Sequence, residues 1–358
     1  MTPVLGSRSP LRGRSLRVAV IAGGPSSEHE VSLSSAASVR EGLLEGGHEA
    51  LWIEVGLDGV WRSEGSVLSV VPGEGLLGAD VAFPVLHGPY GEDGTIQGML
   101  ETLEVPYVGS GVAASAVCLD KILFKALMQV EGVPQVDHVG LDLARYREAP
   151  ERALRSLAAL GLPVFVKPAH FGSSLGIVKV SATADMRSAV EGAFEQDRRV
   201  IVEAMAHGTE VECSLLELAG EDAPGAPLAS EPGEICFEGD WYDYEAKYTP
   251  GGMTLQIPAR ISASAAATVT AIARRAFRAT GCEGLARVDF FVDGETVLLN
   301  ELNTMPGFTP TSVYARLLGA GGVAYPELLE RLCALALERH ARTLAGRARA
   351  QRSDAPIS

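Results

Sequence analysis

The chain has 358 residues, 47% of them hydrophobic and 21% charged, with 40 glycines, which suits a folded protein of two or three domains with a large core. Its formal net charge of −15 argues against nucleic acid or an anionic membrane as a partner, because phosphate groups attract basic surfaces. No apolar run approaches a membrane span, and the 5 cysteines form no CxxC pair, so the reading is a reduced, cytoplasmic setting with buried, inert thiols.

Residues 1–16 are basic and read as a frayed leader, since the apolar run behind them, Val18 to Ala22, is too short for a signal-peptide core. LRVAVIAGG then reads as a buried strand, SSEHEVSLSSAASVREGLLEGG as a helix, and HEALWIEV as a second strand. DVAFPVLHG is a third strand ending in HGPYGEDG, and TIQGMLETL a short helix. Strands alternating with helices predict a parallel sheet covered on both faces, here over residues 17–110. A second unit, 111–203, opens with the helix ASAVCLDKILFKALMQVEG and a strand near Gln135 to Val139. A helix around Ala153 to Leu160 follows, then two β-rich runs flanking a Gly-Ser-Ser loop in LPVFVKPAHFGSSLGIVKV. The helix ADMRSAVEGAFEQ and the strand RRVIVEAM close that unit. A third unit, 204–345, holds the strand TEVECSLLEL, a loop with WYDYEAKYTPGG and the helix SASAAATVTAIARRAFRATG. The hairpin GLARVDFFVDGETVLLNELN and the amphipathic helix PELLERLCALALERHAR complete it, ahead of a frayed tail at 346–358.

The hairpin ends on LLNELNTMPG, where Glu301 and Asn303 share one strand face. A three-residue turn, Gly294 to Thr296, sets Asp289 opposite Glu301 and Arg287 opposite Asn303. A two-residue turn slips the register by one and sends Asp289 to the other face. With the longer turn, two carboxylates and an amide crowd one patch beside a guanidinium. Oxygen ligands of that kind suit a hard cation, magnesium or manganese. The bland alternative is a solvated face with a surface ion pair.

Lysine is scarce: only Lys121, Lys125, Lys167, Lys179 and Lys247 occur. An ammonium is a compact charge suited to a phosphate oxygen. In VKPAHFGSSLG, Lys167 at a strand end precedes a loop of small residues. Gly172 there lets backbone amides approach an anion, and Ser173 and Ser174 add hydroxyl donors. The order of residues is not that of a P-loop, and a Gly-Ser-Ser tip alone is more often just a turn. Lys121, four residues before Lys125 on one helix face, reads by default as solvated. The first unit invites a dinucleotide-binding reading, but Gly23-Gly24-Pro25-Ser26 is no GxGxxG. Glu28 and Glu30 at the helix entrance would repel a pyrophosphate. They serve either to complement the helix dipole or to hold an ammonium.

Seven stretches in order, GGPSSEHEVSLSS, HGPYGEDG, Asp120-Lys121, VKPAHFGSSLG, WYDYEAKY, RVDFF and NELNTMPGFTPTS, resemble the D-alanine–D-alanine ligases of the ATP-grasp superfamily. The resemblance runs from Arg17 to the last helix. It implies an α/β, three-domain ATP-grasp architecture, an N-terminal parallel-sheet domain followed by two α+β domains that clamp ATP and magnesium. It also implies a homodimer that joins two D-alanines through an acyl phosphate to supply a peptidoglycan precursor. By resemblance, Lys121 and Lys167 contact the nucleotide phosphates, with Gly172, Ser173 and Ser174 in the phosphate loop. Glu203 and Glu210 contact adenosine, and Lys247 contacts the transferred phosphate. Asp289, Glu301 and Asn303 hold two magnesium ions, manganese being a substitute. Glu28 takes the ammonium of the first D-alanine, with His87 close by. Arg287 and the backbone at Gly307 stabilise the oxyanion, and Ser312 takes the carboxylate of the second D-alanine. Ser173 and Tyr248 complete a hydrogen-bonded triad with Glu28, and Trp241, Tyr242 and Tyr244 read as packing or lid aromatics.

A carboxylate is a poor electrophile, so phosphorylation must precede attack by an amine. Phosphoryl transfer needs positioning and charge neutralisation, which metals and lysines supply. Two rivals remain open at the level of sequence. One is a ligase of the same fold using D-lactate or D-serine as second substrate. The other is a nucleotide-binding module without catalysis, which would be expected to lose one of Lys167, Arg287, Asp289, Glu301 or Asn303.

Overall fold

A computed structural model describes residue 11 and residues 13–172, 176–218, 226–237 and 252–353. The first sheet contains β1 (Arg17–Gly23), β2 (Glu49–Val55), β3 (Trp61–Ser63), β4 (Ser66–Val67) and β5 (Val81–Pro84), in the order β4-β3-β2-β1-β5. The central strand β1 runs parallel to both β2 and β5, and six of its seven residues are buried. An unbroken apolar run is what a strand covered on both faces requires. Helix α1 (His29–Glu45) follows β1, and α2 (Thr95–Thr102) follows the HGPYGEDG loop. The hairpin β3–β4, antiparallel to the rest, is an addition to the elements read from the sequence.

The single helix expected over 114–132 is two, α3 (Val112–Leu119) and α4 (Lys121–Val130). Asp120 between them has an extended ψ of 98°, and its side chain accepts from the amides of Ile122 and Leu123. Aspartate is a strong N-cap and a poor interior residue, so it restarts the helix with Lys121 as first residue.

The second sheet is antiparallel and four-stranded: β6 (His138–Asp142), β7 (Val164–Pro168), β8 (Val178–Val180) and β9 (Arg199–Ala204), ordered β6-β9-β7-β8. The expected hairpin around the Gly-Ser-Ser loop is β7–β8. Helix α5 (Leu143–Glu148) is a further addition, and α6 (Pro150–Leu157) starts earlier than expected because Pro150 suits a first helical turn. Helix α7 (Met186–Gln196) packs Ala189, Val190 and Ala193 against Val164, Val166, Val200 and Val202.

The third sheet holds β10 (Thr209–Leu216), β11 (Leu228–Ala229), β12 (Gly233–Phe237), β13 (Met253–Gln256), β14 (Leu285–Asp293) and β15 (Thr296–Asn303). Its order is β13-β12-β10-β14-β15, with β11 paired to β10. Helix α8 (Ala263–Thr280) covers one face together with α3 and α4, whose Ala114, Cys118, Phe124 and Met128 join the same core. Helices α9 (Val313–Ala320) and α10 (Tyr325–Ser353) follow, and α10 packs Leu328, Leu329 and Leu332 into the core beneath β1 and β5. All 5 cysteines are free and four are buried, as expected. Among the described residues no helix is long and apolar enough to cross a membrane.

The turn of the β14–β15 hairpin corrects the sequence reading. Asp293 pairs with Thr296, so the turn has two residues, Gly294 and Glu295, not three. Yet Asp289 pairs with Glu301 and Arg287 with Asn303, the partners that the longer turn predicts. The difference is absorbed by a register shift between Asp289 and Phe290, which leaves Asn300 as an extra residue on β15. Val297 and Leu299 therefore face the core before the bulge, and Leu302 after it. Glu301 and Asn303 are thrown to the opposite face, beside Arg287 and Asp289.

Candidate active site

The bulge lines up carboxylates across three strands. Glu212 on β10 pairs with Asp289 on β14, which pairs with Glu301 on β15. Arg287 neutralises the middle of this row. Its Nε lies 2.8 Å from Asp289 Oδ1 and 2.9 Å from Glu212 Oε2, and its Nη2 lies 2.7 Å from Asp289 Oδ2. Burial alone would lower the guanidinium pKa, but the Asp289 and Glu212 carboxylates push it well above the ordinary value. Asn303 Nδ2 donates to Asp289 Oδ2 at 3.1 Å. Glu301 Oε2 lies 3.6 Å from Lys121 Nζ, and that ammonium donates to the Phe171 carbonyl at 2.8 Å. Lys121, read by default as solvated, thus turns inward with a side chain only 13% exposed. It reaches the row of carboxylates at Glu301, which stands opposite Asp289.

A metal fits this set. Turning the Asn303 amide over exchanges its nitrogen for its oxygen, and Asp289, Glu301 and Asn303 then offer only carboxylate and amide oxygens. Among the described residues no three His, Cys, Asp or Glu side chains gather as a metal group.

Lys125, to which the sequence assigns no role, is the main surprise. Its side chain is 1% exposed and its Nζ lies 3.0 Å from Glu203 Oε1. The other oxygen of Glu203 accepts from Lys167 Nζ at 2.5 Å. Lys167 on β7 and Glu203 on β9 reach each other because Phe165 pairs with Glu203 and Lys167 with Ile201, on adjacent antiparallel strands. Burial opposes the charge on Glu203, but Lys125 and Lys167 hold its carboxyl far below the usual range. Burial also works against Lys167, and Glu203 more than reverses it. The Glu203 side chain, expected at adenosine, fixes two lysines. Glu210 pairs with Phe291 one step along the same sheet face as Glu212, and its charge is felt at Lys167.

Asp120 sets the position of Lys121. Besides capping α4 it pairs with Arg199 and lies 3.2 Å from His170 Nε2, whose Nδ1 lies 2.8 Å from Asp197 Oδ2. This arrangement escapes the sequence reading. Arg199 lies 79 positions beyond Asp120, and Ala169 beside His170 reaches Arg199 only through the pairing of β7 with β9.

Glu28 sits at the N-cap position of α1 but makes no side-chain cap bond, and it is buried at 5% exposure. Its Oε2 points between two glycines: a Cβ on Gly88 would lie 2.3 Å from that oxygen, and one on Gly172 3.0 Å. The carboxylate stands at the positive end of α1 and is directed at the seam between the first sheet and the loop after β7. His87 is buried, with Nδ1 3.1 Å from the Met305 carbonyl and Nε2 3.1 Å from Ser35 Oγ. Ser312, at the N-terminus of α9, does not cap its own helix. Its Oγ accepts from the Thr309 amide at 3.1 Å and lies 3.2 Å from where a Gly307 Cβ would stand. Ser173, Ser174, Lys247 and Tyr248, with Trp241, Tyr242 and Tyr244, lie outside the described residues.

Residues 127–334 match the family model described as D-ala D-ala ligase C-terminus, and residues 69–110 the one described as D-ala D-ala ligase N-terminus. A D-alanine–D-alanine ligase from Deinococcus radiodurans is 44% identical over 90% of this chain and 98% of its own. One from Mycolicibacterium gilvum is 43% identical over 90% and 98%. Among solved structures, the D-alanine-D-alanine ligase from Coxiella burnetii superposes with a TM-score of 0.83 at 34% identity, over 95% of this chain and 99% of that one. The VanG D-Ala:D-Ser ligase from Enterococcus faecalis gives 0.78 at 32% identity, over 90% of this chain and 100% of that one.

Proposed function

The chain belongs to the D-alanine–D-alanine ligase family and has its ATP-grasp fold, and we propose that it joins two D-alanines into a peptidoglycan precursor with consumption of ATP, releasing ADP and phosphate. In this reading Glu28 takes the ammonium of the first D-alanine, and Lys121 and Lys167 the nucleotide phosphates. Asp289, Glu301 and Asn303 hold divalent cations, two magnesium ions or manganese in their place. When bound, such ions neutralise phosphate charge during transfer.

The first D-alanine's carboxylate oxygen attacks the γ-phosphorus and ADP departs, leaving an acyl phosphate. The amine of the second D-alanine attacks its carbonyl carbon, the C–O bond to phosphate breaks, and the departing phosphate carries away the proton that the amine loses. Negative charge on the carbonyl oxygen is met by Arg287, already fixed by Asp289 and Glu212, and by the Gly307 amide. Ser312 and the N-terminus of α9 receive the second carboxylate. Ser173 and Tyr248 are the proposed partners of Glu28 in excluding water from the acyl phosphate, and Lys247 the proposed contact of the transferred phosphate.

The register of β14 on β15 carries this reading, because two carboxylates and an amide share the face toward Lys121 and Arg287. A coupled assay of ADP release with D-alanine, L-alanine, D-lactate and D-serine tests it. Release that needs D-alanine and yields the dipeptide supports the reading; no release with D-alanine defeats it. Product with D-serine or D-lactate in place of the second D-alanine would move the chain to the other specificity. The homodimer implied by the resemblance is a separate proposal, read out by sedimentation.

A further inference from the structure

The segment Met305 to Phe308 carries the Gly307 amide, and three side chains from the first sheet's surroundings hold it. The Met305 amide donates to Glu92 Oε1 at 3.2 Å, while Glu92 Oε2 accepts from the Gly88 amide at 2.9 Å. His87 Nδ1 lies 3.1 Å from the Met305 carbonyl, an acceptor, so Nδ1 carries the ring proton. Nε2 then accepts from the Ser35 hydroxyl at 3.1 Å, which leaves Ser35 Oγ to accept from the Phe308 amide at 3.3 Å. Tyr325 donates to the Phe308 carbonyl at 2.5 Å. Pro306 has no amide hydrogen. The Gly307 N–H is therefore the one backbone donor of the segment without a partner among the described residues.

We propose that Glu92 and His87 form a clamp on the Met305 peptide, reaching across from the first sheet to the end of β15, and that they are positioning residues for the Gly307 amide. Neither needs to touch the substrate. The inference rests on the reading of Gly307 as an oxyanion donor. A donor displaced by a fraction of an ångström loses much of its effect on a developing charge, while ground-state binding changes little.

The test compares Glu92→Ala, Glu92→Gln, His87→Ala and the Glu92→Ala/His87→Ala pair. Glu92→Ala is expected to lower kcat about 10- to 100-fold with the KM for ATP within about twofold, the pattern of an interaction made in the transition state. Glu92→Gln keeps one acceptor and is expected to fall between. The double variant is expected to lose less than the product of the single losses, since both hold one peptide. A kcat for Glu92→Ala within about twofold of the parent, or losses that multiply, would overturn the clamp. Hydrogen exchange at the Met305 and Phe308 amides, without substrate, separates this from failure of the ligase reading. Faster exchange in Glu92→Ala supports the clamp even if the parent does not ligate, and unchanged exchange overturns it even if the parent does.

Discussion

Asp289 and Glu301 stand directly opposite each other on β14 and β15, and the same Asp289 carboxylate accepts from Asn303 at 3.1 Å. If these oxygens hold the cations, Glu301→Gln removes a charged ligand and leaves the hairpin core of Val288, Phe290 and Leu302 intact. The magnesium concentration for half-maximal activity should rise at least about tenfold, with little change in melting temperature. An unaltered magnesium titration would remove Glu301 from the metal set.

Much of this site is legible in the sequence, and the hairpin shows where legibility stops. The pairing of Asp289 with Glu301 follows from the sequence, but through the wrong turn. The signal for the bulge is present: buried Val297 and Leu299 are two apart, whereas Leu299 and Leu302 are three apart, a slip that a regular strand does not allow. Asp120 before Lys-Ile-Leu is likewise a readable N-cap inside what otherwise reads as one helix. Lys125 is not readable, because its burial depends on Glu203 arriving on β9 from far along the chain.

Glu203 holds Lys125 and Lys167 together and is itself only 3% exposed. Glu203→Gln should leave two ammonium groups without their counter-charge and destabilise the protein by ~3 kcal/mol. Urea unfolding measures this, and the KM for ATP should rise as Lys167 loses its anchor. Adding Lys125→Met should recover part of the stability, because one of the stranded charges is gone. A double variant no more stable than Glu203→Gln would show that the pair is not the source of the loss.

Gly88 has a φ of +67°, and a Cβ there would lie 2.3 Å from Glu28 Oε2. Gly88→Ala meets both a backbone strain of ~1 kcal/mol and a contact that forces the carboxylate aside. If Glu28 takes the ammonium of the first D-alanine, as proposed, the KM for that substrate should rise about tenfold or more while the KM for ATP stays put. Equal changes in both would mean that the substitution disturbs the seam as a whole.

The carboxyl of Glu92 is pushed from 4.5 up to about 8 by burial and by the Glu28 charge, against the pull of the Gly88 and Met305 amides and of Arg287. The groups facing it are thus Glu28 at the start of α1, Arg287 on β14 and the Gly88 and Met305 amides, beside His87, whose pKa burial lowers. Below about pH 4.5 the carboxyl is protonated in both folded and unfolded chains and has no effect. Between there and about pH 8 the unfolded chain ionises it and the folded one does not, so folding stability falls as pH rises. Above about pH 8 the penalty is complete and constant. Glu92→Gln has no such group, so its urea midpoint should gain on the parent's from about pH 5 to about pH 8 and then run parallel to it. A difference between the two that stays the same at about pH 5, 7 and 9 would show that Glu92 titrates normally. D-alanine binding would then release no proton from it when the substrate ammonium neutralises Glu28.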